Sequence, residues 1–342
     1  MVTMRIRDWH SDQEVLVIAE IGNNHEGNYA LAEEMIGLAA DAGADAVKFQ
    51  TFKTEYYVSN KDTKRFNQLK SFELSHSELE KLSKLAREAG LLFISTPFDL
   101  DSAMFLDKLV DAFKISSGDN TFYPLIDKVA EANKPIIFSS GLADIEQINK
   151  TKMLIETKWN KHGINQQLTV MHCVSSYPVE PEYANLNAIT TLLNNLDCAV
   201  GYSDHTMGID AAIAAVVLGA KIIEKHFTID KDFSEFRDHR LSSDPSELKL
   251  LVDKIRLVST MLGTGEKVIQ SPERNVCNQV KRSIVAKKEL SKGTYLTMND
   301  ISWVRPAGGL PPGNEGKVVG KILKKDLHMG EKILERHLID ES

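Results

Sequence analysis

A chain of 342 residues, 42% apolar and 26% charged, is long enough for one large domain plus a small one, or for two of middling size, and it buries a full core. Its formal net charge of −7 excludes a broad nucleic-acid-binding face, so any anionic ligand has to be held by a local cluster of donors. The opening stretch MVTMRIRDWHSDQE lacks the apolar core of a secretory signal, and no run approaches the roughly 18 apolar residues of a membrane span, which reads as a soluble cytoplasmic protein.

From residue 15 onward, short β-branched or apolar runs alternate with longer segments of helical period. The runs cover 15–21, 45–51, 91–96, 112–116, 135–140, 168–174, 198–203 and 221–227; the helical segments cover 28–42, 76–89, 100–108, 122–132, 144–157, 187–195, 208–218 and 245–262. Several of these segments begin at Ser, Asp or Asn and stop at Gly, as capped helices do. Near-continuous apolar strands separated by helices imply a parallel sheet covered on both faces. Eight strand–helix units over roughly 250 residues is the repeat count of a (β/α)8 TIM barrel, with an open doubly wound sheet as the alternative. The barrel is assigned to residues 1–265 and a weakly periodic linker to 266–280.

A small domain follows over 281–342. Within it AKKELSKGTYLTMNDI (286–301) nearly repeats as LKKDLHMGEKILERHL (323–338), an offset of 37 residues. One copy is too short to bury a core, so the two are expected to pair into a pseudo-symmetric unit. The three cysteines, Cys173, Cys198 and Cys277, are odd in number and not arranged as CxxC, which argues for reduced thiols and against a cysteine zinc site.

In a (β/α)8 barrel the chemistry sits at the C-terminal strand ends, and here those ends are polar. In chain order they carry Glu20; Lys48 and Gln50; Ser95 and Thr96; Lys114 with SSGD; SSG (139–141); HCVSSYP (172–178); SDH (203–205); and EKHF (224–227). Lys48 and Lys114 interrupt buried-looking strands, where an unpaired ammonium is costly, so a bound anion is the expected partner. Neighbouring hydroxyls and glycine N–H groups suit phosphate or carboxylate oxygens.

His205 and His226 end the seventh and eighth runs, neighbours in a barrel, so both imidazoles can reach one point above it and hold a divalent cation in an open N/O site. Asp204 or Glu224 could instead orient an imidazole by a hydrogen bond. His25 and His239 fall in loops expected at the mouth, as substrate contacts or simply exposed. His172 lies within a strand and reads as a satisfied core histidine.

The stretches AEIGNNHEG, GADAVKFQT, FISTPFD, KISSGD, SYP, GYSDHTMG, GAKIIEKHFT and RDHRLS, in this order, resemble the sialic acid synthase family. The run RSIVAKKELSKGT…WVRPAGGLPP…VVGK is similar to the antifreeze-like (SAF) domain those synthases carry. The resemblance implies condensation of phosphoenolpyruvate with an N-acylated mannose-type aldose, N-acetylmannosamine or a 2,4-diacetamido-trideoxymannose, to a nine-carbon α-keto acid. It implies that His205 and His226 hold a metal, usually Mn²⁺, with Mg²⁺ or Co²⁺ as substitutes. Phosphoenolpyruvate falls to Lys48, Thr96, Lys114, Ser117, Ser175 and Tyr177, with Gln50 and Glu20 near the reacting carbons and Asp119 near the attacking water. Asp238 matches a sugar-binding aspartate, and Arg305 an arginine donated to the neighbouring subunit of a domain-swapped homodimer. EFRDHRLS departs from the family's usual glycine-proline before the aspartate-histidine pair, at a segment bordering the sugar. Rival readings are a pseudaminic acid synthase, another metal-dependent phosphoenolpyruvate–aldose synthase or an aldolase, and a non-catalytic carbohydrate-binding protein, which has no use for strand lysines and paired histidines.

Overall fold

The computed structural model describes residues 3–339. The chain forms two compact units that divide between Gly263 and Thr264. In the first, a short antiparallel hairpin, β1 (Arg5–Ile6) and β2 (Trp9–His10), precedes eight parallel strands. These are β3 (Leu16–Gly22), β4 (Ala46–Thr51), β5 (Leu92–Pro97), β6 (Ala112–Ile115), β7 (Ile136–Ser139), β8 (Leu168–Cys173), β9 (Ala199–Asp204) and β10 (Ile222–His226). Each pairs with the next, and β10 returns to β3 in a register running from Ile222↔Leu16 to His226↔Glu20, so the sheet closes and the open-sheet alternative is excluded.

Helices cover the outer face of the barrel where the apolar periodicity places them. Their starts obey cap chemistry: Asn28 accepts from Ala30 and Leu31 N–H, Asp99 from Ser102, and Ser75 forms a reciprocal capping box with Glu78. The helix Ile145–His162 runs past the expected 157, because Ile155 and Trp159 extend its buried face until Gly163, at φ 65, stops it. Three further helices of this unit, Thr54–Tyr57, Thr63–Phe72 and Asp238–Leu241, escape the periodicity. Thr63–Phe72 buries only Leu69 and Phe72, too thin a stripe to register as amphipathic.

The alternation along each strand sends one side-chain set inward, and that set changes character halfway up. At the N-terminal end it is apolar: Leu16, Ile18, Ala46, Ile94, Ala112, Ile137, Met171, Ala199 and Ile222 form one cluster, which Met4, Ile6 and Trp9 of the first hairpin join. Further along each strand, two residues on in seven of them and four on in β9, where Gly201 intervenes, it becomes Glu20, Lys48, Thr96, Lys114, Ser139, Cys173, Ser203 and Glu224, all buried. The hairpin therefore closes one end of an interior whose other end is polar. Among the described residues, no helix is long and apolar enough to cross a membrane.

The second unit realises the 37-residue repeat. β11 (Ser283–Ala286) pairs antiparallel with β12 (Ile301–Val304), and β13 (Ile322–Leu323) with β14 (Leu338–Ile339). The pairs Ala286↔Ile301 and Leu323↔Leu338 are related by the repeat offset, and Leu290 and Leu327, also equivalent positions, exchange backbone hydrogen bonds of 2.9 and 2.8 Å. Ile284, Leu290, Leu296, Leu327 and Ile333 share its core. The stretch read as a linker contains the helix Ser271–Val280, none of whose residues is buried.

If the hairpin seals the barrel, Ile6→Ala leaves a cavity at its closed end. Urea unfolding of the barrel should show a loss of about 2–5 kcal/mol, and a change below about 0.5 kcal/mol would mean the hairpin is not part of the core.

Candidate active site

The polar half of the interior opens into a cavity of about 850 Å³ at the C-terminal ends of the strands. At its floor, register alone brings charges together: Lys48 is the Cα partner of Glu20, which is also the partner of His226. Lys48 Nζ lies 2.9 Å from Glu20 Oε1, 3.2 Å from Thr96 Oγ1 and 3.7 Å from Glu224 Oε1. Lys114 Nζ is 3.5 Å from Glu224 Oε1, which also accepts from Ser203 Oγ at 3.0 Å. Neither strand lysine is therefore unpaired, and the expectation that each requires an anion is corrected: Glu20 and Glu224 are the partners already in place.

The two pairs are unequal. Burial opposes the Lys48 charge, but Glu20 and Glu224 outweigh it and hold the ammonium above its ordinary range. Lys114 is pulled below its ordinary range, first by burial and then by the repulsion of Lys48 that adds to it, against the attraction of Glu224. Burial pushes the Glu20 carboxyl up despite Lys48, whereas Lys114 and Lys48 together overcome burial at Glu224 and keep it low. Glu20 Oε2 and Glu224 Oε2 are buried without a partner, so the cluster retains spare acceptors beside its cations. Gln50 donates to Glu20 at 3.3 Å and accepts from Asn23 at 2.9 Å.

Beside the floor is a hydroxyl cradle. Ser117 Oγ accepts from Gly141 N–H at 3.1 Å. A Cβ at Gly141 would lie 2.5 Å from Ser175 Oγ and 2.6 Å from Ser117 Oγ, so only glycine lets the two serines meet there. Asp119 is not part of the cavity wall; it accepts from Ser116, which is, at 2.6 Å, and burial pushes its carboxyl up.

His205 and His226 do converge, with ring centroids 5.4 Å apart. His205 Nδ1 donates to Val174 O at 2.9 Å, which leaves the Nε2 lone pair free. Burial and, after it, the nearby His205 hold His226 well below the ordinary histidine range, and its Nδ1 is buried without a partner. Burial opposes a charge on His205, but the neighbouring Cys173 outweighs it and holds that imidazole above its ordinary range. With Nδ1 of His205 tied to Val174, the two rings beside the unpartnered Glu224 oxygen form a mixed N/O set that suits a borderline divalent cation. No group of three or more His, Cys, Asp or Glu disposed to hold an ion occurs among the described residues, so further ligands would come from substrate or water. Neither Asp204 nor Glu224 orients an imidazole. Asp204 faces outward and pairs with Lys225 at 3.0 Å, while Glu224 bridges the lysines.

The mouth is lined by Tyr57, Arg65, Leu69 and Phe98 on one side and by Phe236, Arg237 and Asp238 on another. Tyr57 stacks on Phe98 at 4.4 Å, and the Arg237 guanidinium sits 4.9 Å over the Tyr177 ring while bonding Asp238 at 3.2 Å. Tyr177 itself packs 4.2 Å from the His205 ring. His25 and His239, expected in the mouth as contacts or as exposed groups, are both buried and neither lines the cavity. His172 is satisfied by Ala184 O at 2.9 Å, and the three cysteines are free thiols. Arg305 is exposed in the second unit.

The cavity thus gathers Glu20, Lys48, Gln50, Thr96, Lys114, Ser117, Ser175, Tyr177, His205, His226 and Asp238, but not Asp119 or Arg305. Ser203 and Glu224 were expected only as parts of polar strand ends, Glu224 as an alternative imidazole partner, and not as the groups that meet the strand lysines. The available signal was spacing: Glu224 stands two residues before His226 on one strand face, as Ser203 does before His205.

The sequence matches the NeuB family over residues 35–267 and the SAF domain over 281–339. It is 44% identical over 315 residues to an uncharacterised protein of Methanocaldococcus jannaschii, covering 92% of this chain and 91% of that one. It is 39% identical over 338 residues to the N,N'-diacetyllegionaminic acid synthase of Campylobacter jejuni, covering 94% of this chain and all of that one. The citrate complex of N-acetylneuraminic acid (sialic acid) synthetase from Leptospira borgpetersenii superposes with a TM-score of 0.75 at 33% identity, over 80% of this chain and 94% of that one.

Gly141→Ala should force Ser117 and Ser175 apart without disturbing the apolar layers. Calorimetric titration with phosphoenolpyruvate is expected to show affinity reduced at least roughly tenfold with an unchanged circular dichroism spectrum. Unaltered affinity would exclude the serine pair from anion binding.

Proposed function

The chain belongs to the NeuB family, and from that premise we propose that it condenses phosphoenolpyruvate with an N-acylated mannose-type aldose, releasing phosphate and forming a nine-carbon sialic-acid-like α-keto acid. The observation that carries the reading is the convergence of Lys48, Lys114, His205 and His226 on one cavity whose only other polar groups at the floor are carboxylates and neutral donors. The Campylobacter relative bears the name of such a synthase. Phosphoenolpyruvate belongs to cytoplasmic metabolism, which fits a cytoplasmic enzyme.

Lys48 and Lys114 hold phosphoenolpyruvate from below, with Thr96, Ser117, Ser175 and Tyr177 donating to its phosphate and carboxylate oxygens. Their spare partners matter here: when the trianion arrives, the lysines turn from Glu20 and Glu224 toward it, and Glu20, already inclined to protonate, need not repel it. A divalent cation held by His205 and His226, Mn²⁺ by preference, would polarise the aldehyde oxygen of the open-chain sugar. C3 of phosphoenolpyruvate attacks the aldehyde carbon, C2 becomes oxocarbenium-like, and water adds to C2. Phosphate then departs with the bridging oxygen, as the C–O bond breaks and the 2-keto group forms. Glu20 moves the protons of the water and the new hydroxyl and Gln50 orients it, while Asp119, outside the cavity wall, reaches the site only through its hydrogen bond with Ser116.

Asp238 receives hydroxyls of the aldose. Tyr57, Leu69, Phe98 and Phe236 give the mouth apolar walls suited to methyl and acetamido groups, which favours a 2,4-diacetamido-trideoxymannose over N-acetylmannosamine. Arg305 completes the acceptor site of a neighbouring subunit in a domain-swapped homodimer.

Phosphate release from phosphoenolpyruvate labelled with ¹⁸O at the bridging position, with Mn²⁺ and a panel of aldoses, tests the reading. The label should appear in phosphate, fastest with the diacetamido sugar; no release with any aldose overturns the synthase, and label retained in the sugar product overturns the C–O route. His226→Ala should abolish metal-dependent turnover with the fold intact. Mixing Arg305→Ala with Lys48→Ala chains should restore part of the activity, and a verified heterodimer without recovery would rule out exchange of the second unit.

A further inference from the structure

The segment that carries Phe236, Arg237 and Asp238 leaves β10 after His226 and returns at Ser243, where Ser243 N–H donates to His226 O at 2.7 Å and Thr228 N–H to Ser243 O at 3.0 Å. It is a loop closed at its neck, and a fully buried imidazole, that of His239, packs inside it, followed in the chain by the buried Leu241 and Ser242. His239 meets Thr228 Oγ1 at 2.6 Å through Nδ1, and its ring packs 5.3 Å from Phe233 and 6.0 Å from Phe236. The other nitrogen, Nε2, reaches out of the loop to Glu26 Oε1 at 3.2 Å, and Glu26 also accepts from Ser234 Oγ. A second strap runs parallel: Asn24 Nδ2 donates to Ser242 Oγ at 2.9 Å, and Ser242 Oγ donates to the carbonyl of Asp238 at 2.6 Å.

Glu26 is held for this purpose at a conformational cost. Its φ is 46°, in the left-handed region that residues other than glycine adopt sparingly. The next residue, Gly27, lies so close to the Ser71 carbonyl that a Cβ would come within 2.0 Å of it, and Phe72 meets Phe236 edge-on at 5.2 Å. The turn 22–28 is thus wedged between the 53–73 segment and the loop it grips.

We infer that Glu26, acting through His239, is a positioning residue that clamps the 228–243 loop so that Asp238 and Phe236 face the cavity and set affinity for the acceptor sugar. This rests on the proposed acceptor role of Asp238, while the clamp itself is independent of it. None of the clamp residues lines the cavity, so its loss changes the loop rather than the phosphoenolpyruvate floor.

The test compares Glu26→Ala with Glu26→Gln, whose amide oxygen can still accept from His239 and Ser234. Hydrogen exchange is followed at Phe233, Phe236, His239 and Ser242, whose amides are hydrogen-bonded within the loop, and at the barrel strands. Glu26→Ala should accelerate exchange in the loop alone and raise KM for the aldose roughly tenfold, with KM for phosphoenolpyruvate unchanged and Glu26→Gln close to the parent protein. Loop exchange that is unchanged, or that rises together with the strands, overturns the clamp. A local exchange change with equal losses on both substrates overturns its link to the acceptor. If the parent protein turns over no aldose, the proposed function fails separately, and the exchange data still decide the clamp.

Discussion

Two ammonium groups and two carboxylates share the inside of one barrel, immediately above a sealed apolar layer, and the rest of the architecture follows from accommodating them. Isolated charges in that position would cost several kcal/mol each, and removing one partner of such a pair typically costs about 3–5 kcal/mol. Lys48 and Lys114 are tolerated because strand register sets Glu20 beside Lys48 and because Glu224, two residues below the end of β10, reaches both. The cluster is then nearly neutral, preformed and desolvated. It lends itself to exchanging internal partners for a polyanion, since the lysines need not be stripped of water again when a ligand arrives.

The fold was legible because its signals are long-range and redundant. Eight apolar runs separated by capped helical segments admit few arrangements, and all eight became strands of one closed sheet. What escaped was carried by few residues. The hairpin of β1 and β2 contributes Met4, Ile6 and Trp9 to the core from a segment too short for any period to be recognised. The helix Thr63–Phe72 is a polar surface element whose identity depends on a local cap at Asp62 rather than on a buried stripe.

The site was legible residue by residue where chemistry is unusual for its surroundings: a lysine in an apolar strand, or a histidine where a strand breaks. It was not legible where the explanation is relational. That the lysines lean on carboxylates requires knowing that Glu224 and Lys114 project into the same interior from β10 and β6, which are not neighbours in the sheet. The same holds for His25 and His239, which look alike on paper as loop histidines but serve as internal struts, bonded to the Gly27 N–H and to Glu26 and Thr228 respectively.

The apolar plug at the closed end of the barrel has a kinetic consequence. An interior sealed by Met4, Ile6 and Trp9 is a well with one opening, and a well of this kind imposes sequence on traffic. On the proposed function, phosphoenolpyruvate resting on the lysines at the bottom has to descend before the aldose occupies the mouth at Asp238, so the two substrates load in a fixed order.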